Sequence, residues 1–274
     1  MLSFVKQFRK KKDPVVSFCS FTRGRQEIRK VSKTWQDQRF KGEVEYIVAE
    51  FGEKPVVFPT EKEQSQFDTY IFGWMPKTIP FMASWWRNVS LYAGVGRFLM
   101  QCDSDTALGP AAVQKMVDIA RSHRKKYKMP VAVHPTRLLH NESDSYWKTW
   151  DDLKYYTATR VNYECIWLFE RKTFYKTGGW PETFVGYIGE DKVFNPEIKK
   201  VFNVTRPNSR FDMCHVPHMP LDGEEKREAI NVRSIFGFDR RKGDRWPIQK
   251  WKPGRATLVE EAVNDPNFVA KYTP

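Results

Sequence analysis

The stretch RFLMQCDSDTALGP, Arg97 to Pro110, ends an apolar run with Asp103 and Asp105, two carboxylates one residue apart. Asp and Ser favour turns and helix starts, and Pro suits a first helical turn, so a purely structural account exists. An acid-x-acid pair at a strand end also suits Mg²⁺ or Mn²⁺, hard cations that take carboxylate and phosphate oxygens together. A second constellation is KTGGWPETFVGYIGEDKVF, Lys176 to Phe194, where Gly178 and Gly179 precede Trp180, and Gly189 precedes Glu190 and Asp191. Acids at a helix start follow from the helix dipole alone, yet a carboxylate among aromatics is also how a general base with a raised pKa is made. The late segment MCHVPHMP adds His215 and His218. Pro217 between them argues against a helical zinc pair, and a lone His is more often structural.

These residues need a scaffold. After Pro14, VVSFCSF is an apolar run of strand length, and Ile28, Val31 and Trp35 then recur at helical spacing. EVEYIVAEF, Glu43 to Phe51, reads as a second strand, followed by an irregular stretch containing GEKPVVFP. MASWWRNVSLYAGVG reads as a helix closing at Gly94 and Gly96, and leads into the strand RFLMQC. From Pro110, Val113, Met116, Val117 and Ala120 share one helical face, and basic residues gather at the C-terminal end, where they complement the dipole. MPVAVHP returns as a strand, and ECIWLFERKTFYKTGGW reads as one strand turning toward the Gly pair. Glu190 and Asp191 are expected to open a short helix. Apolar strands alternating with helices predict an α/β domain with a mostly parallel, twisted sheet covered on both faces.

Ligands of such sheets bind outside the carboxyl ends of the strands, where Asp103 and Asp105 fall. No GxGxxG follows the first strand and no GxxxxGK[ST] occurs, so a dinucleotide oxidoreductase or P-loop NTPase lacks its phosphate cradle. The 274 residues carry 46 Lys and Arg against 33 Asp and Glu, a net charge of +13 that favours anionic partners. Four scattered cysteines, Cys19, Cys102, Cys165 and Cys214, read as reduced thiols rather than a disulfide framework. No apolar run reaches membrane-spanning length and the N-terminus lacks the form of a secretory signal, so the expected location is the cytoplasm, that of a host cell if the chain is encoded by a bacteriophage. The basic leader of residues 1–14 is expected to pack on the domain, with a short amphipathic helix as the alternative.

At this point the sequence resembles GT-A glycosyltransferases of the family 2 type, from about Val15 to His218. VVSFCSFTRGRQEIRKVSKTWQDQ is similar to their opening strand and helix, YIVAEFG to the second strand with its nucleotide-contacting acid, and WWRNVSLYAGVGRFLMQCDSD to the Arg-Asn helix leading into the DxD motif. GGWPETFVGYIGEDKVF resembles the Gly-Gly and Glu-Asp segment that forms the acceptor side in galactosyltransferase and polysaccharide synthase members. Four matches stand in the right order. At Glu50 the chain departs from the pattern, with AEFG in place of acid-acid-Gly-Ser.

The resemblance implies a nucleotide-sugar-binding half over residues 15–105, an acceptor half over 106–222, and a basic extension over 223–274. It implies that Thr22, Arg23 and Glu50 lie by the base and ribose of a UDP-sugar, and that Arg87 faces the donor diphosphate or sugar with Asp103 beside it. Asp105 and Asp103 would bind Mn²⁺ or Mg²⁺, with His215 or His218 as a third ligand. Gly179, Trp180 and Glu190 would face the acceptor, and Asp191, with Glu190 beside it, would be the catalytic base of an inverting transfer.

The acceptor is read from charge. Residues 233–255 interleave eight Lys and Arg with Trp246 and Trp251. Basic residues meet a phosphate backbone and aromatics stack on bases, so a hydroxymethylated base in DNA, as modified by bacteriophage enzymes, is the favoured acceptor. A lipid-linked or capsular saccharide is the rival, with the charge then holding the enzyme to an anionic membrane. Two further readings are a non-catalytic nucleic-acid-binding protein on a transferase-like fold and a metal-dependent nuclease.

Overall fold

The computed structural model describes residues 2–75, 83–135, 137–140, 150–153, 158–161, 166–180, 190–207 and 213–216. In chain order the elements are β1 (Leu2–Gln7), β2 (Val16–Thr22), α1 (Ile28–Gln36), β3 (Val44–Gly52), α2 (Glu61–Gln64), β4 (Thr69–Trp74), α3 (Ala83–Tyr92), β5 (Phe98–Cys102), β6 (Thr106–Leu108) and α4 (Ala112–Tyr127). Then follow β7 (Val131–Val133), β8 (Arg137–His140), α5 (Trp150–Leu153), β9 (Ala158–Val161), β10 (Ile166–Glu170), α6 (Arg171–Thr177), α7 (Glu190–Val201), β11 (Asn203–Thr205) and β12 (Met213–His215).

Eight strands form the main sheet in the order β1-β4-β3-β2-β5-β10-β7-β11, and β6-β12-β8-β9 form a smaller one. The expected parallel sheet is its centre, where β4, β3, β2 and β5 run the same way. β10 runs against both of its neighbours, with Ile166 opposite Cys102 and Glu170 opposite Phe98, and β11 is parallel to β7. Side chains alternate across each strand. Val16 and Phe18 therefore face a layer with Trp35, Met116 and Val117 from α1 and α4, while Cys19 and Phe21 face one with Trp86, Phe174 and Phe194 from α3, α6 and α7. Both faces of the sheet are covered, which is why its strands read as apolar runs.

The structure differs from the sequence reading, or makes it more specific, at four places. The leader is an edge strand, β1, antiparallel to β4, with Phe4 against Tyr70 and Phe72 at 6.0 and 5.4 Å between ring centroids. The stretch after Phe51 contains β4, which completes the parallel centre by pairing with β3. The segment read as one strand up to Gly178 is strand β10 and then helix α6, whose Phe174 and Thr177 point inward three residues apart and whose end is a left-handed Gly178. The helix at Glu190 and Asp191 is also longer than expected, running through Pro196 to Val201. Cys19, Cys102 and Cys214 are buried free thiols, and Cys165 lies outside the described residues. Among the described residues no helix is long and apolar enough to cross a membrane.

The turn into β5 shows how closely these layers approach. Gly96 N donates to Ser17 Oγ at 2.7 Å, and Ser17 Oγ in turn donates to the Glu45 carboxylate, which also accepts from Val95 N at 3.1 Å. Burial raises the Glu45 pKa and these two donors oppose the rise. A Cβ at Gly96 would meet the Ser17 backbone nitrogen at 2.5 Å. Gly96→Ala should therefore cost about 1–3 kcal/mol in urea unfolding, as overpacking against backbone does; an unchanged midpoint would show that the turn is looser than this geometry.

Candidate active site

β5 ends at Cys102 and delivers Asp103 and Asp105 to the carboxyl end of the parallel strands, after which the chain reverses into β6. Asp105 is 9% exposed. Its Oδ2 lies 3.4 Å from Arg25 Nη1 and 3.4 Å from His215 Nε2, and its Oδ1 accepts from Thr106 Oγ1 at 3.4 Å. Strand register fixes the imidazole there: β12 pairs with β6 so that His215 stands opposite Thr106, and Val216 N donates to Asp105 O at 2.8 Å. Arg25 arrives from the turn after β2, where Gly24 has φ +77 and Thr22 Oγ1 donates to Arg25 O at 3.4 Å.

Asp103 faces a different cation. Its Oδ1 accepts from Gln101 Nε2 at 2.7 Å and lies 3.5 Å from Arg87 Nη2 of α3. The Arg87 guanidinium sits 4.4 Å from the Trp180 ring and 5.8 Å from Phe21, and is nearly buried. Trp180 is fixed in turn by Asn88, whose Oδ1 accepts from Trp180 N at 2.8 Å while its Nδ2 donates to Trp180 O at 2.9 Å. Gly179, at φ +74, leaves room for this bracket, since a Cβ there would meet Asn88 Oδ1 at 2.5 Å. The Trp180 ring stacks on Phe194 at 3.7 Å and is fully buried, so it backs Arg87 rather than presenting a face to solvent.

Of the residues expected at a nucleotide, Thr22 is buried at the end of β2 and Arg23 is half-buried in the turn that follows. Glu50 is fully buried and its carboxylate is already used. It accepts from the backbone nitrogens of Val56, Val57 and Phe58 at 2.6, 2.8 and 3.1 Å, and from the Tyr70 hydroxyl at 2.7 Å. Four acceptances match what two carboxylate oxygens can take, so Glu50 shapes the loop of residues 56–58. Glu190 and Asp191 open α7, the helix that carries Phe194 beneath Trp180. His218 and the basic extension lie outside the described residues.

Sequence reasoning missed Arg25, Asn88 and His134. Arg25 belongs to the same turn as Arg23, and Asn88 adjoins Arg87. His134 follows β7 as Asp103 follows β5, so a polar residue directly after an apolar strand was the available signal. Both of its ring nitrogens are buried and without a hydrogen-bond partner, with the ring centroid 4.3 Å from that of Trp167. Burial, and then the charge of Arg206, push its pKa down to about 3.

No group of three or more His, Cys, Asp or Glu among the described residues could hold a metal by itself. Asp105 and His215 nevertheless fit a divalent cation of the Mn²⁺ type, offering one carboxylate oxygen and one imidazole nitrogen 3.4 Å apart at a polar strand end. The remaining positions would have to come from a bound ligand or water.

Two outcomes follow from this geometry. Asn88→Ala leaves the Trp180 N–H and C=O buried without partners and should destabilise the fold by about 1–3 kcal/mol in thermal or urea unfolding. For His134, the folded pKa lies below the ordinary 6.5, so the unfolded chain binds the proton first as pH falls. Its contribution to stability is present above pH 6.5 and is lost on acidification towards 3, at roughly 1 kcal/mol per pH unit. Urea midpoints measured between pH ~7 and ~5 should fall less steeply in His134→Gln than in wild type.

No protein-family model and no curated protein matches the chain. Solved structures of S. aureus TarS do. The structure of TarS aligns at TM-score 0.53 and 13% identity over 83% of this chain and 44% of TarS. TarS 1–349 in complex with UDP aligns at 0.53 and 14%, over 83% of this chain and 73% of that one. TarS 1–349 with UDP-GlcNAc gives 0.53 and 12%, over 93% and 72%. The chain thus spans less than half the length of the longest of these. At such identities the likeness is one of fold, and the fold of this chain is the α/β GT-A fold.

Proposed function

We propose that the protein is a metal-dependent glycosyltransferase that moves a sugar from a UDP-linked donor to an acceptor hydroxyl, with inversion at the anomeric carbon. The observation that carries this reading is the convergence of Asp105, Arg25 and His215 on one point, with Asp103 and Arg87 beside it, at the carboxyl ends of the parallel strands. TarS, which shares the fold, has been crystallised with UDP and with UDP-GlcNAc, which supports the choice of nucleotide.

In this reading Thr22 and Arg23 lie at the base and ribose, and Glu50 serves by fixing the 56–58 loop as a wall of the nucleotide pocket. Arg25 and Arg87 flank the donor diphosphate, each already oriented by an Asp. A divalent cation held by Asp105 and His215 would offset the charge that builds on the departing diphosphate. Asp191, at the start of α7, accepts the proton of the acceptor hydroxyl as that oxygen attacks the anomeric carbon, and Glu190 lines the acceptor beside Gly179. Placing the carboxylate and the cation site on opposite sides of the sugar gives an in-line displacement. For the acceptor we favour a hydroxymethylated base in DNA, supported by the net charge of +13 and the basic, aromatic segment 233–255.

The test is release of nucleoside diphosphate from a panel of nucleotide sugars with Mn²⁺, with and without hydroxymethylcytosine DNA, followed by mass analysis of the DNA. A Mn²⁺-dependent mass gain of one hexose or N-acetylhexosamine is expected, and Asp105→Ala or Asp191→Ala should reduce it by roughly 10²-fold or more. Donor turnover without DNA modification would move the acceptor to a saccharide. Hydrolysis of the DNA, or no donor turnover with any acceptor, would contradict the transferase.

A further inference from the structure

The opposite pole of the sheet carries a second surface that the transfer reaction does not use. The amino ends of β5, β7 and β11 and the carboxyl end of antiparallel β10 meet there, because Phe98 stands opposite Glu170 and Asn203 opposite Val131. Backbone bonds tie this base together: Arg97 N donates to Pro14 O at 3.1 Å, Arg171 N to Arg97 O at 3.1 Å, and Asn203 N to Pro130 O at 2.8 Å. α4 and α7 both run from the site pole and finish here, each with basic residues in its last turn.

The exposed side chains of this base are cations interleaved with apolar groups. The end of α4 and the turn after it present Arg124, Lys125, Lys126 and Lys128 to solvent, with Lys199 exposed in the last turn of α7 and Arg97 just before β5. Two of the nearby acids are ion-paired, Glu170 with Arg124 at 3.9 Å and Glu43 with Lys11 at 3.6 Å. Of the six exposed large hydrophobics among the described residues, three lie on this base: Val95 at 50%, Tyr127 at 45% and Met129 at 46%. Val95 precedes the foot of β5 and Met129 the foot of β7, two strand spacings or about 10 Å apart.

Cations alone would suit any polyanion. Val95 and Met129 decide among the candidates, because an aliphatic side chain gains nothing from a phosphate backbone and gains by entering lipid. We propose that this base is a peripheral docking surface for an anionic lipid bilayer, with Val95, Tyr127 and Met129 entering the headgroup boundary and the surrounding Lys and Arg meeting the lipid phosphates. Docked this way, the protein turns Asp103, Asp105 and His215 away from the bilayer, so the surface acts independently of which acceptor the site takes.

The full chain should co-sediment with phosphatidylcholine vesicles containing phosphatidylserine and only weakly with phosphatidylcholine alone. The combined variant Lys125→Glu, Lys126→Glu, Lys128→Glu should weaken vesicle binding roughly tenfold or more, since each cation contributes separately at an anionic surface. Val95→Ser with Met129→Ser should weaken it as well, with the melting temperature unchanged. In Met129→Trp, vesicles containing phosphatidylserine should raise the blue-edge emission of the added indole above that of wild type. Vesicle binding left intact by both combined variants would overturn the proposal, as would loss of duplex DNA binding with vesicle binding unchanged.

Discussion

Two carboxylates at the end of one buried strand repel each other and lose hydration, and the site is organised around answering them. Asp103 is met by Arg87 from α3, and Asp105 by Arg25 from the turn after β2 and by His215 from β12. Those partners come from parts of the chain far apart in sequence, so the fold must close before either Asp is compensated. Pairing of β12 with β6 and the Asn88 bracket on Trp180 are the devices that bring them in. The same arrangement concentrates positive charge where a diphosphate would lie. In the proposed reading, structural compensation and ligand recognition use the same residues.

The support behind the charges is aromatic. Arg87 lies over Trp180, Trp180 stacks on Phe194, and Phe194 meets Trp167 and Phe169 edge-on. Rings of this kind hold a guanidinium without competing for its hydrogen-bond donors, and Arg87 Nη2 stays 3.5 Å from Asp103 Oδ1. Because Phe194 sits three residues after Asp191 on α7, the stack also ties the first turn of that helix to the Arg87 side of the site.

Much of this could be read from the chain. Apolar runs gave the central strands, and a polar residue directly after such a run marked Asp103 and Asp105; helical spacing gave α1 and α4. What local pattern could not supply was pairing. β4 is legible only as the neighbour of β3, β6 only as the partner of β12, and α6 begins at Arg171 without a capping side chain to announce it. For the same reason Glu50 was legible as an acid near the end of a strand but not as the anchor of the 56–58 loop, and Arg25 could not be told from Arg23. Each depends on contacts between residues distant in sequence.

The central claim is that Asp105 and its partners form a metal-assisted site for a uridine diphosphate. Calorimetric titration of UDP into the protein, with Mn²⁺ and then with a chelator, tests it most directly. The account predicts saturable binding of UDP that is lost with the chelator. Equal binding without metal would contradict the roles given to Asp105 and His215, and no binding in either condition would contradict the nucleotide site itself.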